Sequence, residues 1–253
     1  MEFYSSIAEL YDYIFPLNQD QVDFTERELR SGDSPSGAAG PCSPDTLRIL
    51  DAGCGTGNLS IALASRGHAV IGIDVDAEMI GRAEMKAGAD ARFLRMDMTK
   101  IGEEFGPKAF DAVLCFGNTL VHLTGPVAIR GFLEAASRVL VPGGLLLLQI
   151  INFDRILGRN IKGLPTIENE HVRFERNYSV DPDTGLVLFH TILTGKKSGG
   201  VFENTIPLYP LRERQLCSFI EDAGFTDIKL FGSFSRAPFS HETVPLIVSA
   251  RNN

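Results

Sequence analysis

An open, mostly parallel α/β sheet with helices on both faces is the fold this sequence predicts, and three observations predict it. Apolar, strand-like runs alternate with helical stretches from Leu47 to Ile151. The first run closes in a glycine-rich turn, Asp51-Ala52-Gly53-Cys54-Gly55-Thr56-Gly57-Asn58. An acid ends each of the first three runs: Asp51, Asp74 and Asp97. Alternation of this kind implies parallel strands joined by right-handed crossovers. Open α/β sheets bind ligands at the carboxyl ends of their strands, which is where these acids fall.

The elements follow in order. Phe3, Ile7, Leu10, Tyr11 and Ile14 recur at helical spacing and Pro16 breaks the pattern, so two helices form a cap over residues 1–30. Ser31 to Pro44 is made of Gly, Ser, Pro and Ala with little to bury, which predicts a flexible linker over 31–44. Leu47 to Leu50 is the first strand. The three glycines after it have the spacing G-x-G-x-G, and a pyrophosphate-binding turn would place its third glycine where Asn58 stands. Glycine admits positive φ and close approach of a ligand, while a tight strand–helix connection with no ligand is the plainer reading. Asn58 is expected to cap a helix running through Ser65. Val70 to Ile73 forms the second strand and ends in Asp74, with a helix over Ala77 to Ala87. Ala91 to Met96 is the third strand, and Phe110 to Cys115 the fourth, followed by a helix over Pro126 to Leu140. Val141-Pro142-Gly143-Gly144 then turns into the fifth strand, Leu145 to Ile150, so that 45–152 form the binding core. Beyond Ile151 the pattern becomes antiparallel: Arg173 to Tyr178 and Leu186 to Leu193 flank the turn at Asp181 to Gly185. We read 153–210 as an antiparallel insertion over the mouth of the core. Residues 211–253 rejoin the core through a helix over Arg212 to Ala223 and strands at Thr226 to Phe231 and Pro245 to Arg251.

Composition narrows the function classes. With 253 residues, 44% of them hydrophobic, the chain suits one large α/β domain. Its net charge of −8, from 32 acids against 24 bases, argues against a nucleic-acid partner, which demands a basic face. Arg155, Arg159, Lys162, Arg173 and Arg176 form a local basic cluster, read either as solvated surface or as an attractor for an anionic substrate. No apolar run is long enough to span a bilayer, and Glu2, Glu9 and Asp12 are unlike a signal peptide, so a cytoplasmic protein without membrane contact is expected. Cys42, Cys54, Cys115 and Cys217 show no C-x-x-C pairing, and no metal site is expected.

The glycine turn opened by Asp51, with Asp74 and Asp97-Met98 ending the next two strands, resembles class I S-adenosylmethionine-dependent methyltransferases. The resemblance covers nearly the whole chain and implies a Rossmann-like seven-stranded, mostly parallel sheet. It also implies S-adenosyl-L-methionine as cofactor, with Asp51, Gly53, Gly55, Gly57 and Asn58 around its methionine end. Asp74 would accept from both ribose hydroxyls, with Val75 beside it, and Asp97 would take the adenine amine while Met98 packs on the ring. Phe110 to Leu123, which contains Phe116, Gly117, Asn118 and His122, and Asn152-Phe153-Asp154-Arg155-Ile156-Leu157 resemble two segments of glycine and sarcosine N-methyltransferases. Phe116 and Gly117 would then adjoin the cofactor.

A small-molecule methyl acceptor, with an amine nitrogen receiving the methyl group, is the function implied. In the glycine enzymes an arginine that grips the substrate carboxylate precedes the Asn-Tyr-Asp segment, and here that position is Ile151, which cannot make such a pair. His122 is the candidate base, against a packing role in the helix after the fourth strand. Asn118 orients substrate or simply forms the turn. Tyr11, with Tyr4 and Tyr13, closes the site or packs. An O- or C-methyltransferase of a larger apolar metabolite and a non-catalytic cofactor-binding protein are the alternatives.

Overall fold

The computed structural model describes residues 2–31, 46–87, 91–197 and 199–253. The expected linker, apart from Ser31, lies outside the described residues. Two amphipathic helices, α1 (Glu2–Ile14) and α2 (Gln19–Arg30), precede the sheet and are divided at Pro16 as the sequence predicts. Asn18 caps α2, its Oδ1 accepting from the Asp20 N–H.

The core then runs β1 (Arg48–Ala52), α3 (Asn58–Ala64), β2 (Ala69–Asp74), α4 (Ala77–Ala87), β3 (Ala91–Arg95), α5 (Ile101–Glu104), β4 (Phe110–Cys115), α6 (Pro126–Val139) and β5 (Leu140–Ile151). After α7 (Phe153–Gly158) come the insertion strands β6 (Gly163–Glu168), β7 (Val172–Val180), β8 (Val187–Gly195) and β9 (Val201–Leu208). The chain ends with α8 (Glu213–Asp222), β10 (Phe225–Phe231) and β11 (Pro245–Asn252).

Seven strands form one sheet in the order β10-β11-β5-β4-β1-β2-β3. Strands β1 to β5 pair in parallel, and β11 runs antiparallel between β5 and β10. Alternate residues feed two cores: Leu146, Leu148 and Ile150 pack beneath α6 and α8, while Leu145 and Leu147 pack with Val22 and Phe24 of α2 and Leu63 of α3. The order reverses beside β1, whose neighbours are β2 and β4. That reversal opens the crevice in which such sheets bind ligands.

Three details differ from the sequence reading. Gly57, at φ +79°, caps α3, and Asn58 is that helix's first residue, because a left-handed turn is needed to leave the glycine loop and glycine adopts it without strain. The fifth strand begins at Leu140 and absorbs the Val141 to Gly144 turn as an irregularity in its pairing with β4. The antiparallel sheet spans 163–208, since α7 before it buries Phe153 and Ile156 in the main core. Among the described residues no helix is long and apolar enough to cross a membrane.

Candidate active site

The glycine turn leaves β1 and folds back on β2. The Gly53 and Cys54 N–H groups both donate to the Ile73 carbonyl, at 2.8 and 3.0 Å, and Gly55 N–H donates to Asp74 Oδ2 at 3.0 Å. The three glycines have positive φ for different neighbours. A Cβ on Gly53 would meet Thr119 at 2.3 Å, and one on Gly57 would meet Phe93 at 2.6 Å. Both are therefore required by the protein's own packing. Only Gly55 leaves van der Waals room, with the Tyr11 ring 3.4 Å from such a Cβ.

Asp51 is buried and accepts from Ser60 Oγ at 2.6 Å. Burial pushes its carboxyl up to about 6, Ser60 opposes that, and the nearby Asp74 adds to it. Asp74 accepts from Gly55 through one oxygen and from the Asp76 N–H through the other, at 3.0 Å each. Burial raises its pKa despite these bonds. An ionised carboxylate has about four lone-pair sites, so Asp74 retains acceptor capacity beyond its bonds to the backbone. That capacity suits a vicinal diol. Asp97 is exposed, and its Oδ1 caps the following turn by accepting from the Thr99 N–H and hydroxyl at 2.9 Å. Met98 beside it is buried with Ile73 and Leu120, while half-buried Val75 gives its carbonyl to Arg95.

Helix α1 lies over this edge, and sequence reasoning missed how it is held. Ser5, Glu9 and Asp12 share one face. Ser5 donates to Asp76 at 2.6 Å, Arg82 pairs with Glu9 at 3.0 Å, and Lys86 pairs with Asp12 at 2.7 Å. Asp12 also accepts from Thr56 and from Asn58 Nδ2. Asn58 thus turns to α1, its Oδ1 taking Lys86 Nζ at 2.7 Å. Spacings of four and three residues were the available signal, since they align polar groups in one stripe beside the apolar face.

Across the crevice, Asn118 adopts left-handed φ +66° and its Oδ1 accepts from the Ile151 N–H at 2.9 Å. Gly117 N–H donates to Gln149 Oε1 at 2.9 Å, and buried Phe116 meets Phe234 edge-on. His122 lies on a short 3₁₀ turn, Thr119–His122, with Nε2 3.4 Å from the Tyr4 hydroxyl. Burial lowers its imidazole to about 4 and raises the Tyr4 and Tyr11 phenols. All three are neutral at pH 7. Tyr13 does not join them and stacks on His171.

The segment that begins at Asn152 and much of the basic cluster make contacts within the protein. Asn152 caps α7 and donates to the Thr243 carbonyl at 3.0 Å, while Asp154 accepts from the first N–H of α8 at 2.9 Å. The basic cluster is also divided: Arg159 pairs with Glu242, and Arg173 with Glu168 and Glu175.

The family model for a methyltransferase domain matches residues 49–144, the stretch from β1 to the turn in β5. The glycine/sarcosine N-methyltransferase of Aphanothece halophytica is 31% identical over 192 residues, 74% of this chain and 69% of that one. The ubiquinone biosynthesis O-methyltransferase of Leptothrix cholodnii is 33% identical over 162 residues, 58% of this chain and 67% of that one. An S-adenosylmethionine-dependent methyltransferase from Clostridium acetobutylicum superposes with a TM-score of 0.78 at 16% identity, covering 98% of each chain, a likeness of fold. The chain belongs to the class I S-adenosylmethionine-dependent methyltransferases. Within that class it resembles the glycine/sarcosine N-methyltransferase group over about three quarters of its length. It is an enzyme, a methyltransferase that uses S-adenosyl-L-methionine.

Proposed function

We propose that the acceptor atom is an amine nitrogen of a small molecule bound between α1, the end of β4 and the insertion sheet. What supports this most is the meeting of Tyr4, Tyr11 and His122, three neutral polar rings, above the glycine turn. We assign the ribose to Asp74, the adenine amine to Asp97 with Met98 behind the ring, and the methionine end to the turn around Gly55. Asp51 braces that turn from beneath. The cofactor supplies a methyl group already activated on a sulfonium, so the protein's part is alignment and exclusion of water.

The amine must present a lone pair, and a neutral pocket favours that form over the ammonium because burying an unpaired charge is costly. His122, held neutral, accepts a hydrogen bond from the amine N–H and so aims the lone pair at the methyl carbon. A group titrating near 4 is too weak a base to hold an amine's proton at pH 7, so the proton released after transfer goes to solvent. Asn118 has its Oδ1 engaged and offers Nδ2 to the acceptor. Incubation with methyl-labelled cofactor and a mixed pool of small amines, phenols and hydroxy acids tests the reading. Label on nitrogen is expected, and label confined to oxygen or carbon would refute it.

A further inference from the structure

The inner face of the insertion sheet is apolar except for one row. Its register aligns Ile167, Phe174, Leu193 and Phe202 across the four strands, then Leu164, Arg176, Thr191 and Asn204, then Tyr178, Phe189 and Ile206. The first and third rows pack against α1 and the main core through Ile7, Ile14 and Val121. The middle row is therefore a polar stripe enclosed by apolar neighbours.

Two of its groups, Arg176 Nε and the Thr191 hydroxyl, and the Tyr178 hydroxyl of the adjoining row are buried without a hydrogen-bond partner among the described residues. Thr191 is 0% exposed and Tyr178 5%, and neither hydroxyl has a hydrogen-bond partner. Arg176 donates to the Pro165 carbonyl through one terminal nitrogen, while its buried Nε has no partner. Among the described residues no carboxylate pairs with Arg176. The acids of these strands, Glu168, Glu175 and Glu203, lie on the other face with Arg173 and His190. Native proteins seldom leave buried donors unpaired, and a guanidinium keeps its proton at any ordinary pH. Burial lowers the pKa of Arg176, and Tyr178 interacts electrostatically both with it and with Tyr4 of the site.

We propose that Arg176, with the Thr191 and Tyr178 hydroxyls, binds a carboxylate carried by the methyl acceptor. The inference deepens the small-amine reading and rests on it. A planar guanidinium with a free edge matches a carboxylate's two oxygens, and the hydroxyls can donate to its remaining lone pairs. One cation suits a singly charged acid. This grip stands on the insertion sheet, whereas the position held by Ile151 is at the end of β5, so the acid and the amine are spaced differently from glycine.

Calorimetry on the full chain saturated with S-adenosylhomocysteine tests the proposal. The ligand pairs are 4-aminobutyrate with 4-aminobutyramide, glycine with glycinamide, and 4-hydroxybutyrate with its amide. At least one acid is expected to bind tenfold or more tightly than its amide. Arg176→Gln should abolish that preference with S-adenosylhomocysteine affinity unchanged, and Thr191→Val should reduce it. Arg176→Lys keeps the charge without the fork and should retain only part of the preference, which preserves the test if the glutamine variant folds poorly. Equal binding of acids and amides by the parent, or a preference that survives in the Arg176 variants, would overturn the proposal. Label found only on oxygen would end the amine reading but leave this acid-over-amide comparison standing.

Discussion

Asp51 carries the least ordinary titration among the acids of the glycine turn. Its folded pKa of about 6 lies above the model-peptide value near 4, so between these the folded state binds more protons than the unfolded one. Stability is therefore lost as pH rises from about 4 to about 6, and the loss is complete above that window. Asp51→Asn keeps an acceptor for Ser60 and removes the charge. Its melting temperature relative to the parent should rise across the same window, and a pH-independent difference would show that Asp51 is not strained by burial. His122 has the opposite sense: its folded value of about 4 lies below the unfolded value near 6.5. Above pH 6 it is already neutral, so kcat/KM between pH 6 and 8 should show no inflection that disappears in His122→Gln. An inflection near pH 6.5 that the variant removes would make His122 a titrating base and contradict the alignment role.

At the scale of elements, α1 is held to the insertion sheet by Ile7 and Ile14 and to the glycine turn and α4 by a few polar contacts, whereas β4 and β5 are buried on both faces. Asp12 accepts from three groups and is partly exposed, so each contact contributes modestly, within the roughly 0.2–1 kcal/mol of exposed pairs and about 1 kcal/mol for a neutral hydrogen bond. Asp12→Ala should speed amide exchange in α1 about tenfold while β1, β4 and β5 keep their protection. Equal acceleration in the sheet would mean that Asp12 supports global folding and not the position of α1. The elements themselves were legible because strand runs, acids and glycines alternate in a fixed order from Leu47 to Ile151. The cap on α3 was misread because Asn and Gly are both ordinary there, and only the left-handed backbone decides. Pairing in the insertion was partly hidden, since β6 contains Pro165 and an irregular register.

At the scale of the whole molecule, the proposed cofactor edge and the rings Tyr4, Tyr11 and His122 were named from the sequence, whereas Arg176 was not singled out as an acceptor ligand. Asp74 and Asp97 were visible as strand-end acids, but Arg176 looked like one more base in a surface cluster. Its separation from Arg173 depends on strand parity, which places adjacent residues on opposite faces. Ile151 in place of the gripping arginine removes a charge-assisted pair, a loss of several kcal/mol in a desolvated site. Glycine and sarcosine should accordingly be poor acceptors, and initial rates should favour a longer amine. Efficient turnover of glycine at ordinary metabolite concentrations would show that its carboxylate is held elsewhere.

The account rests centrally on the glycine turn and Asp74 as the cofactor cradle, and a titration of parent and Asp74→Ala with S-adenosylhomocysteine tests it most directly. Loss of a hydrogen bond to a charged group, about 1.5–3 kcal/mol, corresponds to roughly 10- to 100-fold weaker binding with the melting temperature little changed. Binding by the variant as tight as by the parent, or saturable binding of a nicotinamide nucleotide with none of S-adenosylhomocysteine, would contradict it.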